Sequence, residues 1–234
     1  MSTIDSDKWK ALVQSFNPNA IPTMTDPGGV GGPNADPSLD ENGELHPGDD
    51  SMKQSDIESM MNELFDALQA YTREEGLEST VQVSMNGNNK IFVQFNQTAF
   101  FEGNEFALTD EAKEILTKVC EMLDQVADAI DEVRFQGHTA QPYNEPNEPR
   151  GDRFLASNRA TNVLVFVQTH SSIHPSRLVS EGYGQWRPIG DNDTNEGLTM
   201  NRRVEMIISG RDLENDELSQ TIQQYFTDAD SQTH

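Results

Sequence analysis

The chain has 234 residues, enough for one domain of ordinary size with sizeable flanking segments. It carries 40 acidic and 16 basic residues, and its net charge of -24 argues against nucleic acid or an anionic membrane surface as the main partner, because both would repel it. The single cysteine, Cys120, excludes an intramolecular disulfide, and no apolar run in the sequence is long enough to span a bilayer.

The two ends of the chain predict segments outside a folded core. Residues 1–17 place four apolar side chains at helical spacing, namely Trp9, Leu12, Val13 and Phe16. This pattern fits either a weakly ordered terminus or an amphipathic element that docks on a membrane or a partner. Residues 18–52 are acidic, rich in Pro and Gly, and free of Lys and Arg, so we expect a disordered, extended linker. The acidic tail 211–234 predicts no fold either.

Residues 53–80 predict a linker helix. Ser55 and Glu58 fit a capping box, and Gly76 is placed to end the helix. One apolar stripe follows helical spacing through Ile57, Met60, Met61, Leu64, Phe65, Leu68 and Tyr71. We expect this stripe to pack on the chain's own domain, and a contact between two copies of the chain is the alternative.

Residues 81–210 predict one α+β domain. The segments 81–85 and 91–95 read as two strands joined by an Asn-Gly turn, and Thr109 caps a helix with an apolar stripe. Cys120 lies in that stripe, so we expect a packed thiol and not a nucleophile. The later elements are a strand at 132–137, a helix at 153–170, and strands at 177–181 and 203–209. This order predicts an α+β sandwich with two main helices on one face of a mixed sheet.

No pattern in the sequence predicts an enzyme, a metal site or a cofactor site. Asp191 begins a segment like an EF-hand loop, but Arg202 stands where that loop needs a bidentate glutamate. His170 and His174 are close in sequence, yet no third zinc ligand accompanies them. The sequence also has no nucleophile elbow, P-loop or dinucleotide-binding fingerprint. We therefore expect a non-enzymatic protein without a cofactor.

Arginines are the residues of this acidic chain that best suit recognition of an anion. Five of them stand out, and several lie at boundaries of predicted elements: Arg153, Arg159, Arg177, Arg202 and Arg203. The guanidinium group offers a planar fork of donors that matches a carboxylate. Spacing alone leaves two interpretations open, an anion-binding site and surface ion pairs with the abundant acids.

Four ordered motifs resemble the OmpA-like peptidoglycan-binding domain. They are QGHT at 136–139, LASNRA at 155–160, GYG at 182–184 followed by Arg187 and Pro188, and NRRVE at 201–205. The family pattern that they resemble is G-H-T-D, N-x-x-L-S-x-x-R-A, G-x-G-x-x-x-P and N-R-R-V-E. Residues 2–16 and 175–178 are in addition similar to the version of this domain in the MotB family of flagellar stator proteins.

The stator resemblance implies a location and partners. In that family a segment like residues 1–17 forms a plug that restrains ion flow, and one membrane helix precedes it. We therefore expect an extracytoplasmic fragment whose membrane helix would lie before Met1, on the outer face of the inner membrane in the periplasm or cell-wall space. The resemblance also implies a MotA-type stator subunit as a partner, reached through that helix, and a homodimer of the chain.

The resemblance further implies a pocket for the peptide stem of peptidoglycan. In the family the arginine of the R-A pair, here Arg159, grips the free carboxylate of a diamino acid such as diaminopimelate. The implied binding residues are Thr139, Asp152, Arg159, Arg202, Arg203, Glu102 and Asn201.

Two positions of this pocket depart from the family pattern. Ala140 replaces the aspartate that would bind the ammonium of the diamino acid, and Asp152 replaces the usual asparagine. One hypothesis is that Asp152 supplies the missing carboxylate. The alternative is weak binding or a different wall peptide.

Three functions fit these observations. The first is a non-enzymatic anchor that fixes the stator of the flagellar motor to peptidoglycan. The second is a general OmpA-like anchor of the cell envelope that takes no part in motility. The third is an interaction module that has lost wall binding.

Overall fold

A computed structural model describes residues 52–142 and 145–213. The predicted plug-like segment 1–17, the linker 18–52 apart from its last residue, and the tail beyond residue 213 lie outside these ranges. Within the described ranges, no helix combines the length and the apolar character needed to cross a membrane.

The described residues form one five-stranded sheet and a set of α-helices. In chain order the elements are α1 (Gln54–Glu74), β1 (Val81–Met85), β2 (Lys90–Asn96), α2 (Gln97–Phe100), α3 (Asp110–Gln125), β3 (Ile130–His138), α4 (Pro149–His170), β4 (Leu178–Gly184), α5 (Asn195–Asn201) and β5 (Arg203–Gly210). The strand order is β1-β2-β5-β3-β4, with a parallel β3–β4 pair and antiparallel pairs elsewhere. This architecture confirms the predicted α+β fold with a mixed sheet.

Buried and more exposed residues alternate along the strands, and the buried residues define the face of the sheet that the helices cover. Val133 and Phe135 in β3 are fully buried and pair with residues of β5 that are buried on the same face. Helices α1 and α4 contact the sheet, and α3 contacts both of these helices. The apolar stripe of α3, including Cys120, is buried as predicted, and burial raises the pKa of the Cys120 thiol to about 12.

Helix α1 packs on its own domain, as predicted for its apolar stripe. Ile57 and Met61 are fully buried, and a side chain at Gly210 of β5 would meet Met61. The predicted capping box is wrong, because the helix begins at Gln54 and the Asp56 carboxylate accepts the Lys53 N–H at 3.0 Å. Ser55 therefore lies inside the first turn.

Helix α4 begins four residues earlier than the sequence predicts. The Glu148 side chain accepts the N–H groups of Arg150 and Gly151 at 2.9 and 2.6 Å, and Pro149 occupies the first helical position. Proline is favoured there because that N–H has no helical partner. The short helices α2 and α5 were not predicted, since four and seven residues are too few for a clear helical period.

Two glycines allow α4 to lie directly on β3 and β4. A Cβ atom on Gly137 of β3 would overlap the backbone carbonyl of Ala156, and one on Gly182 of β4 would overlap Ser157. Both of these partners lie in α4. The helix backbone therefore approaches the strands more closely than any larger residue would permit.

Gly137→Ala tests this close approach. The added methyl group pushes α4 away from β3, and we expect the free energy of unfolding to fall by about 1–3 kcal/mol in a urea titration followed by circular dichroism. Gly87→Ala in the β1–β2 turn is the matched control, because a Cβ there meets no heavy atom within 4 Å. Equal stability of the two variants would contradict the packing of α4 on β3.

Candidate functional site

A cavity of about 470 Å³ opens where β3 ends and α4 begins. This volume lies within the usual range for small-ligand pockets. Its walls come from the β3–α4 connection, α4, the region of α2 and the residue after α5, and they comprise Gln97, Asn104, Thr139, Ala140, Pro142, Asn147, Glu148, Gly151, Asp152, Leu155, Arg159 and Arg202.

The cavity wall on α4 follows from helical geometry. Lining residues follow Glu148 at three, four, seven and eleven positions along the chain, as Gly151, Asp152, Leu155 and Arg159. Residues with this spacing share one face of a helix. The contact of α4 with the sheet therefore fixes all five of them relative to the end of β3.

Arg159 is held rigidly at one side of the cavity. Its Nε donates to the carbonyl of Glu105 at 2.9 Å and its Nη2 to that of Gly103 at 2.7 Å, and its guanidinium carbon lies 5.1 Å from the centre of the Phe101 ring. Nη1 donates to no group among the described residues. Burial, and then the charge of Arg202, lower the pKa of Arg159 to about 10, so the group is still a cation at neutral pH.

Arg202 is the second cation on the cavity wall. Its backbone N–H donates to Leu198 and its carbonyl accepts from Gln97. Across residues 52–142 and 145–213, its guanidinium forms neither a hydrogen bond nor an ion pair. Neither Arg159 nor Arg202 forms an ion pair with a carboxylate of a described residue, so both guanidinium groups keep donors that could bind an anion.

Asp152 joins three segments of the chain from inside the cavity wall. Its Oδ1 accepts the hydroxyl of Thr139 and, at 3.2 Å, the side-chain amide of Asn147, while its Oδ2 accepts the N–H of Gln185 at 3.0 Å. Gly184 adopts a φ of 61°, and a Cβ there would overlap Oδ2. Asp152 is only 6% exposed, so these bonds position the loops that surround the cavity.

The neighbouring acid Glu148 lies at the exposed rim of the same cavity. The N–H groups of Gly151 and then Arg150 hold the pKa of its carboxyl group below the usual value. Ala140, at the position where the family pattern has aspartate, is buried and adds only a methyl group to the lining.

The structure brings four of the seven predicted binding residues to the cavity, namely Thr139, Asp152, Arg159 and Arg202. Glu102 is exposed and does not line it. Asn201 is fully buried, where its Oδ1 accepts the N–H groups of Ile189 and Gly190 at 2.7 and 2.8 Å.

Arg203 also lies outside the cavity lining. It is 4% exposed, and its Nε donates to Glu205 at 2.5 Å. Both of its Nη atoms donate to the carbonyl of Arg187. Asn201 and Arg203 thus stabilise the β4–β5 connection.

His138, from the QGHT motif, is buried beside the cavity without lining it. Its ring stacks on Tyr183 with a centroid distance of 5.4 Å, and neither ring nitrogen has a hydrogen-bond partner among the described residues. Burial, followed by the charges of Arg203 and Arg187, lowers its pKa to about 3. The imidazole is therefore neutral at physiological pH and acts as a packing group.

Sequence reasoning missed several groups at the site. Gln97, Asn104, Asn147 and Glu148 belong to no recurring pattern, although an acid directly before Pro149 is a recognisable helix-start signal. The sequence did not predict Gln185 either, because its role depends on the hydrogen bond from its backbone N–H to Asp152.

Residues 100–202 match the family model described as the OmpA family. The chain is 23% identical to the uncharacterized protein YtxE of Bacillus subtilis (strain 168), over 89% of this chain and 78% of YtxE. It is 23% identical to Motility protein B of the same organism, over 68% of this chain and 59% of that protein. A crystal structure of a MotB-like protein from Desulfovibrio vulgaris superimposes with a TM-score of 0.57 and 19% identity, covering 68% of this chain and 96% of that one.

Asp152→Ala tests the role of this carboxylate in holding the site together. The change leaves the Thr139, Asn147 and Gln185 donors without their acceptor, and we expect a loss of about 2–4 kcal/mol in the free energy of unfolding, measured by denaturant titration. Glu145→Ala in the same connection is the control, because this exposed acid makes no hydrogen bond to a described residue. Similar stability of both variants would contradict the role assigned to Asp152.

Proposed function

We infer, from the match of residues 100–202 to the OmpA family model, that the protein is a non-enzymatic anchor that binds the peptide stem of peptidoglycan. The observation that carries this inference is the pair of arginines on the cavity, neither of which has a carboxylate partner in the described part of the chain. A stem peptide presents free carboxylates, which are the natural partners of such a site.

The geometry of Arg159 suits it to hold a carboxylate. Its Nε and Nη2 are already fixed by backbone carbonyls, so the group loses little conformational entropy when a ligand binds. The remaining Nη1 donors and the nearby Arg202 offer charge-assisted hydrogen bonds to the incoming anion. Binding an anion also relieves the repulsion between the two guanidinium groups.

The net charge of the protein is compatible with a wall ligand. At -24 the chain repels densely anionic polymers over distances up to the Debye length. A carboxylate at the end of a peptide stem carries little charge, so the local field of Arg159 and Arg202 decides its binding. The repulsion by the net charge and the local attraction by the two arginines together restrict binding to short anionic groups that enter the cavity.

We propose the finer role of a flagellar stator anchor from the similarity to Motility protein B. That similarity extends over 159 residues, more than the 100–202 segment matched by the family model. In this role the cavity grips the wall in the periplasm or cell-wall space, and a MotA-type subunit is engaged through a membrane helix. Two copies of the chain form one stator unit.

A sacculus pull-down tests the wall-anchor function. We expect sacculi with diaminopimelate-containing stems to retain the protein, and Arg159→Ala and Arg202→Ala each to reduce retention at least about tenfold, the effect of losing one charge-assisted bond. The Arg202 side chain forms no hydrogen bond or ion pair with a described residue. Its variant should therefore change wall binding without unfolding the domain. Soluble stem peptide should compete with the sacculi.

Arg73→Ala is the charge-matched control for this experiment. Arg73 lies in the last turn of α1 and does not line the cavity, so its loss should leave retention unchanged. Equal retention of the wild-type protein and both cavity variants would contradict the site. No retention of the wild-type protein at low salt would favour an interaction module without wall binding.

A further inference from the structure

We propose that the outer edge of β1 binds an extended, basic peptide of a partner protein as an added antiparallel strand. β1 stands first in the strand order β1-β2-β5-β3-β4, so among the described strands it pairs only with β2. An unpaired edge can accept a further strand, and peptide-binding domains use this mode of recognition. No residue of β1 lines the cavity at the end of β3, so this inference does not depend on wall binding.

The hydrogen-bond pattern shows which backbone groups of β1 face outward. The N–H of Asn96 in β2 donates to the carbonyl of Thr80 at 2.8 Å, which places the even-numbered residues of β1 in the bonded pairs with β2. The N–H and C=O groups of Val83 and Met85 therefore point away from β2. In the described part of the chain these groups have no hydrogen-bond partner. An extended peptide backbone can supply one for each of them.

β1 lacks the features that usually protect an edge strand from pairing. Its sequence VQVSM contains no charged residue and no proline, and its register with β2 contains no bulge. The side chains of Val83 and Met85 lie on the same face of the strand as the buried Val81, yet both remain partly exposed. An added strand covers these side chains, so apolar burial contributes to binding together with the backbone hydrogen bonds.

A second cavity, of about 250 Å³, lies beside this edge. Its walls come from β1, the last turns of α1 and the connection between them, and they comprise Gln69, Thr72, Arg73, Glu78, Val81, Gln82 and Val83. Directly opposed residues of two strands place their side chains on the same face of a sheet. A peptide residue opposite Val83 therefore directs its side chain toward α1 and this cavity, where an aliphatic group packs against the two valines.

The charges around the edge favour a basic peptide. Glu74, Glu75 and Glu78 are exposed at the end of α1 and in its connection to β1, where Arg73 supplies a single positive charge. Burial, and then the charges of Glu75 and two glutamates of α3, raise the pKa of Tyr71 to about 12. The effect of these glutamates on Tyr71 indicates a negative local potential, which attracts lysine or arginine side chains and repels acidic ones.

Calorimetric titration of the full chain with synthetic peptides tests this surface. The probe is a peptide of about nine alternating lysine and valine residues with blocked ends, long enough to cover β1. Its matched partner carries glutamate in place of every lysine. We expect the lysine peptide to bind and to slow hydrogen exchange at the amides of Val83 and Met85. The glutamate peptide should bind at least about tenfold more weakly.

Two N-methylated forms of the lysine peptide separate strand addition from attraction between charges alone. In an antiparallel pairing with the valines toward α1, the valine N–H groups face β1 and the lysine N–H groups face solvent. Methylation of the valine nitrogens should therefore abolish binding. Methylation of the lysine nitrogens should leave the affinity within about twofold, because it removes no bond to β1.

A variant of β1 tests the same bonds from the side of the protein. Val83→Pro removes one outward N–H and no bond to β2, and proline is tolerated at such positions of edge strands. We expect its affinity for the lysine peptide to fall about tenfold, with circular dichroism verifying the fold. Ser84→Ala is the matched control, because it changes an exposed side chain of the same strand and should leave the affinity unchanged.

Each of the other outcomes would overturn the proposal. They are no binding of the lysine peptide at low salt, equal binding of the lysine and glutamate peptides, and equal binding of the two methylated forms. A dimer of the wild-type chain that Val83→Pro abolishes would assign the edge to a second copy instead. Arg202→Ala should bind the lysine peptide as the wild-type protein does, so loss of wall binding in that variant leaves this inference standing.

Discussion

The contact between α4 and the strands beneath it determines where the α4 residues of the cavity wall lie relative to the end of β3. Gly137 and Gly182 leave no side chain between the helix and the sheet at these two positions, so the backbone of α4 lies directly against β3 and β4. Asp152 then reaches both Thr139 and Gln185. A cavity on loops alone would lack this precision, because loops are more mobile than the elements that they connect.

The electrostatics of the site depend on whether its carboxylates accept hydrogen bonds from neutral donors or pair with its arginines. Among the described residues, two arginines pair with carboxylates, Arg134 with Glu132 and Glu181, and Arg203 with Glu205. At the cavity, donors of the protein engage Asp152 and Glu148, and neither acid forms an ion pair with Arg159 or Arg202 in the described part of the chain. Local hydrogen bonding thus leaves donors of Arg159 and Arg202 available on the cavity wall of an acidic molecule.

Much of the fold could be predicted from periodicity and caps, whereas the composition of the cavity could be predicted only in part. Thr109 and the α3 stripe carry local signals that packing did not override. The motifs identified Arg159 and Arg202 as cavity residues. They also predicted Asn201 and Arg203, the neighbours of Arg202, but the side chains of these two bond to the β4–β5 connection and do not line the cavity. Glu148 was missed because the helix was predicted to begin at residue 153, which left the acid and Pro149 at its actual start in a loop.

The cavity and the first residues of α1 lie at opposite ends of β5, and this placement determines how the domain bears a mechanical load. Arg203 begins β5 near the cavity, while at the other end of that strand the Gln54 side chain bonds to the backbone of Arg211 and Leu213. A pull between the chain leading into α1 and a ligand in the cavity therefore runs parallel to the strands. The backbone hydrogen bonds of the central strand share such a force in shear, and they do not open one after another as in unzipping. The fold is thus oriented to resist stretching along its long elements.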